Sequence, residues 1–133
     1  MKKLFLFFTI IFYTLSLSSG SYAELKLTGV NARTGSRDYI DPAKIKIDGS
    51  SRYYWVLTEF KIPNKNGIMS VKVYEHTECD LRQTRQLKYA AYELSMGEGS
   101  AKEIWTAEDQ KWRYVLPNSM SEAIFNLVCS HKK

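Results

Sequence analysis

The chain has two cysteines, Cys79 and Cys129, and each lies close to one of its two histidines, His76 and His131. Thiolate sulfur and imidazole nitrogen are ligands that zinc prefers, and four of them would complete a tetrahedral site. The spacing argues against such a site, because residues 76 and 79 point to opposite faces of an extended strand. The alternatives are a disulfide or two free thiols, and the compartment decides between them. We expect no metal site and no cofactor.

Other reactive residues give little support for catalysis. The chain lacks the Ser, His and Asp order of known hydrolases. The glycine-containing segment 96–100 is not followed directly by the lysine and threonine that a phosphate-binding loop requires. Two pairs of acidic residues, Asp38 with Asp41 and Glu108 with Asp109, lie in predicted turns where little burial would shift a pKa. We therefore predict that the protein is not an enzyme.

The N-terminus has the pattern of a secretory signal peptide over residues 1–23. Two lysines precede an apolar run of fourteen residues, 4–17, which is shorter than the roughly 20 residues that span a bilayer. Small residues then lead to Ala23, and we expect cleavage between Ala23 and Glu24. A lipoprotein would need a cysteine directly after the cleavage site, and none lies near Ala23, so we expect no lipid anchor. The mature chain, 24–133, is predicted to be one domain that is periplasmic or secreted.

Export bears on both the cysteines and the charge. In an oxidising compartment an isolated cysteine pair is most simply a disulfide, and we predict one between Cys79 and Cys129. Removal of the leader lowers the formal net charge from +5 to +3. This modest charge and the export signal together argue against a nucleic-acid partner. No later segment is long and apolar enough to predict a membrane span.

Most of the mature chain alternates apolar and polar residues between short intervals marked by proline and glycine, which is typical of half-buried strands. Segment 52–62 is apolar on both faces, so we place it centrally in the sheet. Segment 81–94 also contains good helix formers, but the alternation of Leu87, Tyr89 and Ala91 favours a strand. Further strands are expected around 25–28, 39–40, 45–48 and 69–74.

The pattern changes near the C-terminus. Ser119 and Glu122 have the spacing of a capping box, which predicts the start of a helix. One apolar helix face then follows, formed by Met120, Ala123, Ile124, Leu127 and Val128. The predicted fold is therefore α+β, with an antiparallel sheet of about six strands. The C-terminal helix packs on one face of that sheet and is tethered by the disulfide.

An ordered set of residues along the mature chain resembles the surface-adhesin protein E family of small exported bacterial proteins. The set comprises Tyr39-Ile40-Asp41-Pro42, Ile45, Tyr54-Trp55-Val56, Tyr74-Glu75, Cys79, Arg85, Trp112, Val115, Pro117, Ser119, Phe125 and Cys129. The resemblance implies a six-stranded antiparallel sheet, a C-terminal helix fastened by a disulfide, and often a dimer. It also implies binding of host extracellular-matrix or serum proteins such as vitronectin and laminin.

Three functional classes follow from these observations. The resemblance favours an exported, non-catalytic, adhesin-like binding protein. The alternative is a periplasmic inhibitor or chaperone of an envelope protein, similar to lysozyme inhibitors, which would agree with the small size, the disulfide and the missing lipid anchor. The third class is a structural envelope protein.

The only local basic cluster comprises Arg82, Arg85 and Lys88, and it is one candidate binding site for an acidic partner. Acidic residues at 75–80 precede the cluster, so ion pairing across a hairpin is the competing explanation.

Trp105 lies beside the polar segment 106–109 and is the best candidate for an exposed contact residue. We expect Trp55 and Trp112 to lie in the core. One short helix cannot cover both faces of the sheet, so a second apolar face remains. We expect a homodimer to cover it. A bound partner, or the loop 105–116 folding across the face, is the alternative.

Overall fold

The computed structural model describes residues 24–132, so the predicted leader and its end at Ala23 lie outside the described residues. Within this range the chain forms eight strands and one α-helix. The elements are β1 (Lys26–Val30), β2 (Arg37–Ile40), β3 (Lys46–Asp48), β4 (Ser51–Glu59), β5 (Ser70–Glu78), β6 (Gln83–Tyr92), β7 (Glu103–Thr106), β8 (Arg113–Tyr114) and α1 (Met120–Ser130).

All strands belong to one antiparallel sheet in which six strands follow the order β1-β2-β4-β5-β6-β7. The two short strands extend this path, since β3 pairs with the first residues of β4 and β8 pairs with the first residues of β6. The predicted α+β fold is confirmed, and β4 lies centrally as its apolar faces indicated.

Segment 81–94 forms a strand, as its alternation predicted, and this strand is interrupted by a bulge. Tyr74 pairs with Lys88 and Glu75 pairs with Gln86, so Leu87 is an extra residue on β6. A bulge twists the strand and changes which side chains share a face.

The helix begins where the capping pattern predicted. The Ser119 hydroxyl accepts a hydrogen bond from the Glu122 amide at 3.1 Å. The Glu122 carboxylate accepts from the amide of Asn118 at 3.2 Å, one residue before the cap. Two backbone donors at the helix start are thus satisfied by side chains.

The core lies between this helix and one face of the sheet, which we call the helix face. Ile124 and Val128 of α1 pack against Tyr54 and Val56 of β4. Ile40 and Ile45 complete the cluster. Val128 and Ile40 are fully buried.

The end of the helix is bonded to the end of β5. Cys79 and Cys129 form a disulfide, with their Cα atoms 5.7 Å apart. Arg82 pairs with Glu122, and the guanidinium of Arg52 donates to the carbonyl of Val128 at 3.1 Å. The predicted tether of the helix is confirmed, and polar contacts reinforce it.

A polar network also lies on the helix face. The Tyr54 hydroxyl is 2.6 Å from the hydroxyl of Thr77 and 3.2 Å from a carboxylate oxygen of Glu75. Thr77 donates in turn to Thr84 at 3.0 Å. Every buried side-chain nitrogen and oxygen of the described residues has a hydrogen-bond partner, as buried polar groups require.

Candidate functional site

The sheet face opposite the helix carries a continuous set of aromatic rings. Alternation along β4 places Tyr53 and Trp55 on this face, and antiparallel pairing brings His76 opposite Tyr53 and Tyr74 opposite Trp55. Trp112, in the loop before β8, packs over the same side. We call these five residues the aromatic face.

The rings of the aromatic face support one another. The Tyr53 ring stacks on His76 with centroids 4.2 Å apart, and the Trp55 ring lies 4.9 Å from Tyr74. His76 meets Trp112 edge to face at 4.8 Å. These contacts hold the rings in place, so a partner binding there would restrict few additional side-chain rotations.

The segment 94–99 covers one end of this side of the sheet. It buries Leu57, which is 3% exposed. The Gly97 amide donates to Ser70 at 2.8 Å, and Gly97 has a φ of 64° that favours glycine. Trp55 lies between this segment and Trp112 and is 41% exposed. An aromatic surface therefore remains accessible at the centre of the sheet.

A groove of about 510 Å³ lies beside Trp55. Its walls are largely apolar and its rim carries charged side chains. The lining residues are Leu25, Asp41, Lys44, Trp55, Leu57, Lys72, Tyr92 and Met96.

Cationic side chains lie against the rings on this side of the sheet. The Lys46 ammonium is 5.7 Å from the centre of the Tyr53 ring, and the Arg85 guanidinium is 4.5 Å from Trp112. Lys72 lies 5.0 Å from the Tyr92 ring. Such contacts are attractive because the ring face carries partial negative charge.

Ser51, His76 and Glu78 form a cluster at one end of the aromatic face, and their residue types match a hydrolytic triad. The Ser51 hydroxyl lies 2.9 Å from Nε2 of His76, and the Glu78 carboxylate lies 3.3 Å from the same nitrogen. Ser51 and Ser50 donate to Glu78. These hydrogen bonds lower the pKa of the Glu78 carboxyl.

The geometry of this cluster does not activate Ser51. Arg85 donates to Nδ1 of His76 from Nε at 3.3 Å and Nη2 at 3.2 Å, so Nδ1 is an acceptor. In the neutral ring the proton is then on Nε2, which faces the serine. Burial, and secondarily the charge of Arg85, lowers the pKa of His76. Without a free lone pair at Nε2, His76 cannot serve as a base for Ser51.

The structure separates the predicted basic cluster. Arg82 belongs to the β5–β6 turn and pairs with Glu122 of the helix. Arg85 is opposite His76, whereas Lys88 is opposite Tyr74 and exposed. The expected ion pairs across the hairpin do not form among the described residues, because the register places no carboxylate opposite these cations.

The three tryptophans are exposed to a similar extent. Trp105 is 42% exposed and stacks on Tyr89 with centroids 5.3 Å apart. It pairs with β6 on the helix side of the sheet, away from the aromatic face. The expectation that Trp55 and Trp112 lie in the core is wrong, since they are 41% and 37% exposed. Trp112 of the loop 105–116 packs on the aromatic face, and Trp55 remains accessible beside it.

The sequence alone did not single out the aromatic face. Its signal was present in the alternation of Tyr53 and Trp55, but the partners on β5 and the position of Trp112 depend on register and loop conformation.

Both cysteine sulfurs are bonded to each other, so the set of His76, Cys79, Cys129 and His131 cannot bind zinc. Within residues 24–132 no other group of three or more His, Cys, Asp or Glu side chains is arranged to hold a metal ion. No helix in this range is long and apolar enough to cross a membrane.

Comparison with known structures shows the same fold in protein E of Haemophilus influenzae. Its selenomethionine form is 15% identical, with a TM-score of 0.59 over 84% of this chain and 90% of that one. Crystal form II is 17% identical, with a TM-score of 0.54 over 70% and 80%. Protein E from a non-typeable strain is 14% identical, with a TM-score of 0.52 over 86% and 82%. No curated protein matches the chain by sequence.

The family profile described as surface-adhesin protein E matches residues 26–130, which is nearly the whole described range. With the fold and the disulfide in place, this match shows that the chain belongs to the surface-adhesin protein E family.

Proposed function

We propose that the protein is an exported, non-catalytic binding protein of the adhesin type that docks a protein partner on its aromatic face. The observation that supports this most is the position of Trp55, 41% exposed at the centre of a set of rings. Aromatic side chains surrounded by supporting contacts are typical of residues that dominate binding energy in protein interfaces. Family membership adds support for adhesion.

The partner class is host extracellular-matrix or serum protein, as the family resemblance implies. Vitronectin and laminin are the first proteins to test. Retention in the periplasm with capture of an envelope protein would instead support the inhibitor or chaperone function. The expected homodimer remains a prediction, to be checked by sedimentation equilibrium of the exported protein.

The test measures binding of the exported protein to immobilised vitronectin and laminin by surface plasmon resonance. We expect Trp55→Ala to weaken binding by about 30-fold, the effect of losing a contact worth about 2 kcal/mol. Trp105→Ala is the matched control, because Trp105 is 42% exposed but lies on the helix side of the sheet. We expect this control to bind within about 2-fold of the unchanged protein.

The two variants should unfold at temperatures close to each other, since the two rings are exposed to the same extent and each packs on one tyrosine. If both substitutions weakened binding equally, or if neither did, the aromatic face would not be the docking surface.

Export is a separate prediction. We expect the mature protein to begin at Glu24 or within a few residues of it, because small residues lead to Ala23. N-terminal sequencing of protein from the envelope fraction and the medium measures this directly. An intact Met1 in both fractions would contradict it.

A further inference from the structure

We propose that the aromatic face recognises an acidic polypeptide segment and seats one apolar side chain of that segment in the groove beside Trp55. This inference rests on the proposed function and specifies the chemistry of the partner.

The first support is charge. Lys46, Lys72, Arg85 and Lys88 all lie on this side of the sheet. Within the described part of the chain, none of the four has a carboxylate within 4.0 Å. Three of them lie over aromatic rings, which hold the side chain without neutralising its charge.

Three acidic residues on the same side accept hydrogen bonds within the protein, whereas Asp48, opposite Ser51 on β3, is exposed. Glu59 accepts a hydrogen bond from the Met96 amide at 2.6 Å, and Glu78 accepts from Ser50 and Ser51. Asp41 accepts from the Ala43 amide at 3.0 Å and lies 3.8 Å from Lys44. Lys46 and Lys88 are exposed, and Lys72 and Arg85 are half-buried against their rings. A partner of complementary charge for these four cations is anionic.

The second support is spacing. Lys72 is two residues from Tyr74 along β5, and Lys88 is opposite Tyr74 on β6. Residues two apart on a strand are separated by about 6.8 Å, and neighbouring strands by about 4.8 Å. An extended peptide presents alternate side chains at the same interval of about 6.8 Å. One face of such a peptide could thus direct an apolar side chain at Trp55, with carboxylates two residues before and two residues after it reaching the flexible side chains of Lys72 and Lys88.

The third support is the groove, which distinguishes a polypeptide from a sulfated glycan. Both polymers are anionic, but a glycan has no apolar side chain. The groove of about 510 Å³ is walled by Leu25, Leu57, Tyr92 and Met96, next to Trp55. Such a surface gains binding energy from an aliphatic or aromatic side chain, since apolar area is removed from water.

The experiment titrates the exported protein with synthetic probes by calorimetry. The first probe is a nine-residue peptide of glutamate and serine in alternation with one central phenylalanine. The second has alanine in place of phenylalanine, the third has lysine in place of glutamate, and the fourth probe is a heparin oligosaccharide. We expect the first to bind, the second to bind at least about 10-fold more weakly, and the third not to bind.

The protein variant Lys72→Gln/Lys88→Gln should bind the first peptide at least about 10-fold more weakly and lose much of its salt dependence. The matched control is Lys61→Gln/Lys65→Gln, which removes two exposed lysines outside the aromatic face. This control should bind the peptide as the unchanged protein does.

Two outcomes would overturn the proposal. One is tight binding of heparin with no binding of the acidic peptide, which would assign the surface to a sulfated glycan. The other is equal affinity for the glutamate and lysine peptides. If the lysine variant kept its affinity for vitronectin or laminin while Trp55→Ala lost it, the proposed docking function would stand and only the acidic partner would be excluded.

Discussion

The Cys129→Ser variant is expected to unfold with a free energy about 2–5 kcal/mol below that of the unchanged protein. The Cys79–Cys129 bond closes a loop of 50 residues that spans β6, β7, β8 and the helix. In the chain-entropy description, closing a loop of this length lowers the entropy of the unfolded chain, which raises its free energy by about 4 kcal/mol. The free energy of unfolding of a small domain is only about 5–15 kcal/mol, so the variant is left with little stability.

Helix and sheet should unfold together in this variant. Ile124 and Val128 of α1 form one cluster with Ile40 and Tyr54 of the sheet, so detachment of the helix would expose the core. Circular dichroism reports the helix and tryptophan fluorescence reports the sheet. We expect the two transitions to coincide in urea, with a lower midpoint than in the unchanged protein.

Reduction provides the control for this experiment. A thiol reductant should lower the stability of the unchanged protein to that of the variant and leave the variant unaffected. Two free thiols in the denatured, unreduced exported protein would contradict the disulfide.

Local patterns predicted the helix and six of the eight strands of the described residues, but not β7 or β8. The spacing of Ser119 and Glu122 predicted the helix start because capping involves only neighbouring residues. Alternation predicted β4 and β6 because the faces of a strand differ in burial. The cysteine pairing followed from the count of cysteines and the expected compartment.

The candidate site depends on features that no local pattern specifies. The β5–β6 turn places Arg82 beside Glu122 of the helix, whereas the bulge at Leu87 puts Arg85 and Lys88 on the opposite face of the sheet. The exposure of Trp55 depends on how far the segments before β7 and β8 extend across the sheet. Those segments are loops, whose conformation is determined by long-range contacts.

The charge of the aromatic face is another property that register determines. In the sequence, Arg85 and Lys88 follow several acidic residues, and this pattern suggested ion pairs that would neutralise their charges. In the sheet Glu75 lies on the helix face with Gln86, whereas Arg85 and Lys88 lie opposite His76 and Tyr74. One bulge thus leaves cations on one side of the sheet and a carboxyl group on the other.

That carboxyl group, Glu75, belongs to a hydrogen-bonded chain with a preferred direction. Thr84 donates to the His76 carbonyl at 3.3 Å and accepts from Thr77 at 3.0 Å. Thr77 has then used its proton, so it accepts from Tyr54 at 2.6 Å. The Tyr54 hydroxyl also donates to a carboxylate oxygen of Glu75 at 3.2 Å.

Burial raises the pKa of Glu75 to about 7. The hydrogen bonds from Tyr54 and Gln86 to the ionised carboxylate oppose this rise. The negative charge of Asp38 raises the pKa of Glu75 further, and the positive charge of Arg113 lowers it. Because the folded protein holds this proton more tightly than the unfolded chain, whose glutamate pKa is about 4.3, folding stability falls as pH rises. The contribution is present in full below about pH 4.3 and is lost as the pH rises to about 7.

Glu75→Gln should therefore stabilise the protein at pH 8 by about 2–3 kcal/mol and have little effect at pH 4.5. Full conversion of the pKa difference between about 4.3 and about 7 gives about 4 kcal/mol of unfolding free energy. We expect less, because an open cavity lined by Glu75 and Arg113 lets water approach the carboxylate. Glutamine stays neutral and can still pair with Tyr54. Urea unfolding at several pH values measures the difference between the two proteins.

His76 shapes the pH profile of both proteins in the opposite sense. Because folding lowers the pKa of His76, this residue contributes to folding stability at pH values above about 6.5, the pKa of histidine in the unfolded chain. The contribution is lost as the pH falls. Below about pH 6.5 the two groups therefore offset each other in the unchanged protein, whereas the Glu75→Gln variant should gain stability as the pH rises toward this value and then level off. The exposed residue Glu103 supplies the control, since Glu103→Gln removes a carboxylate without burial. A Glu75→Gln variant that is equally or less stable than the unchanged protein at pH 8 would show that Glu75 ionises in the fold without penalty.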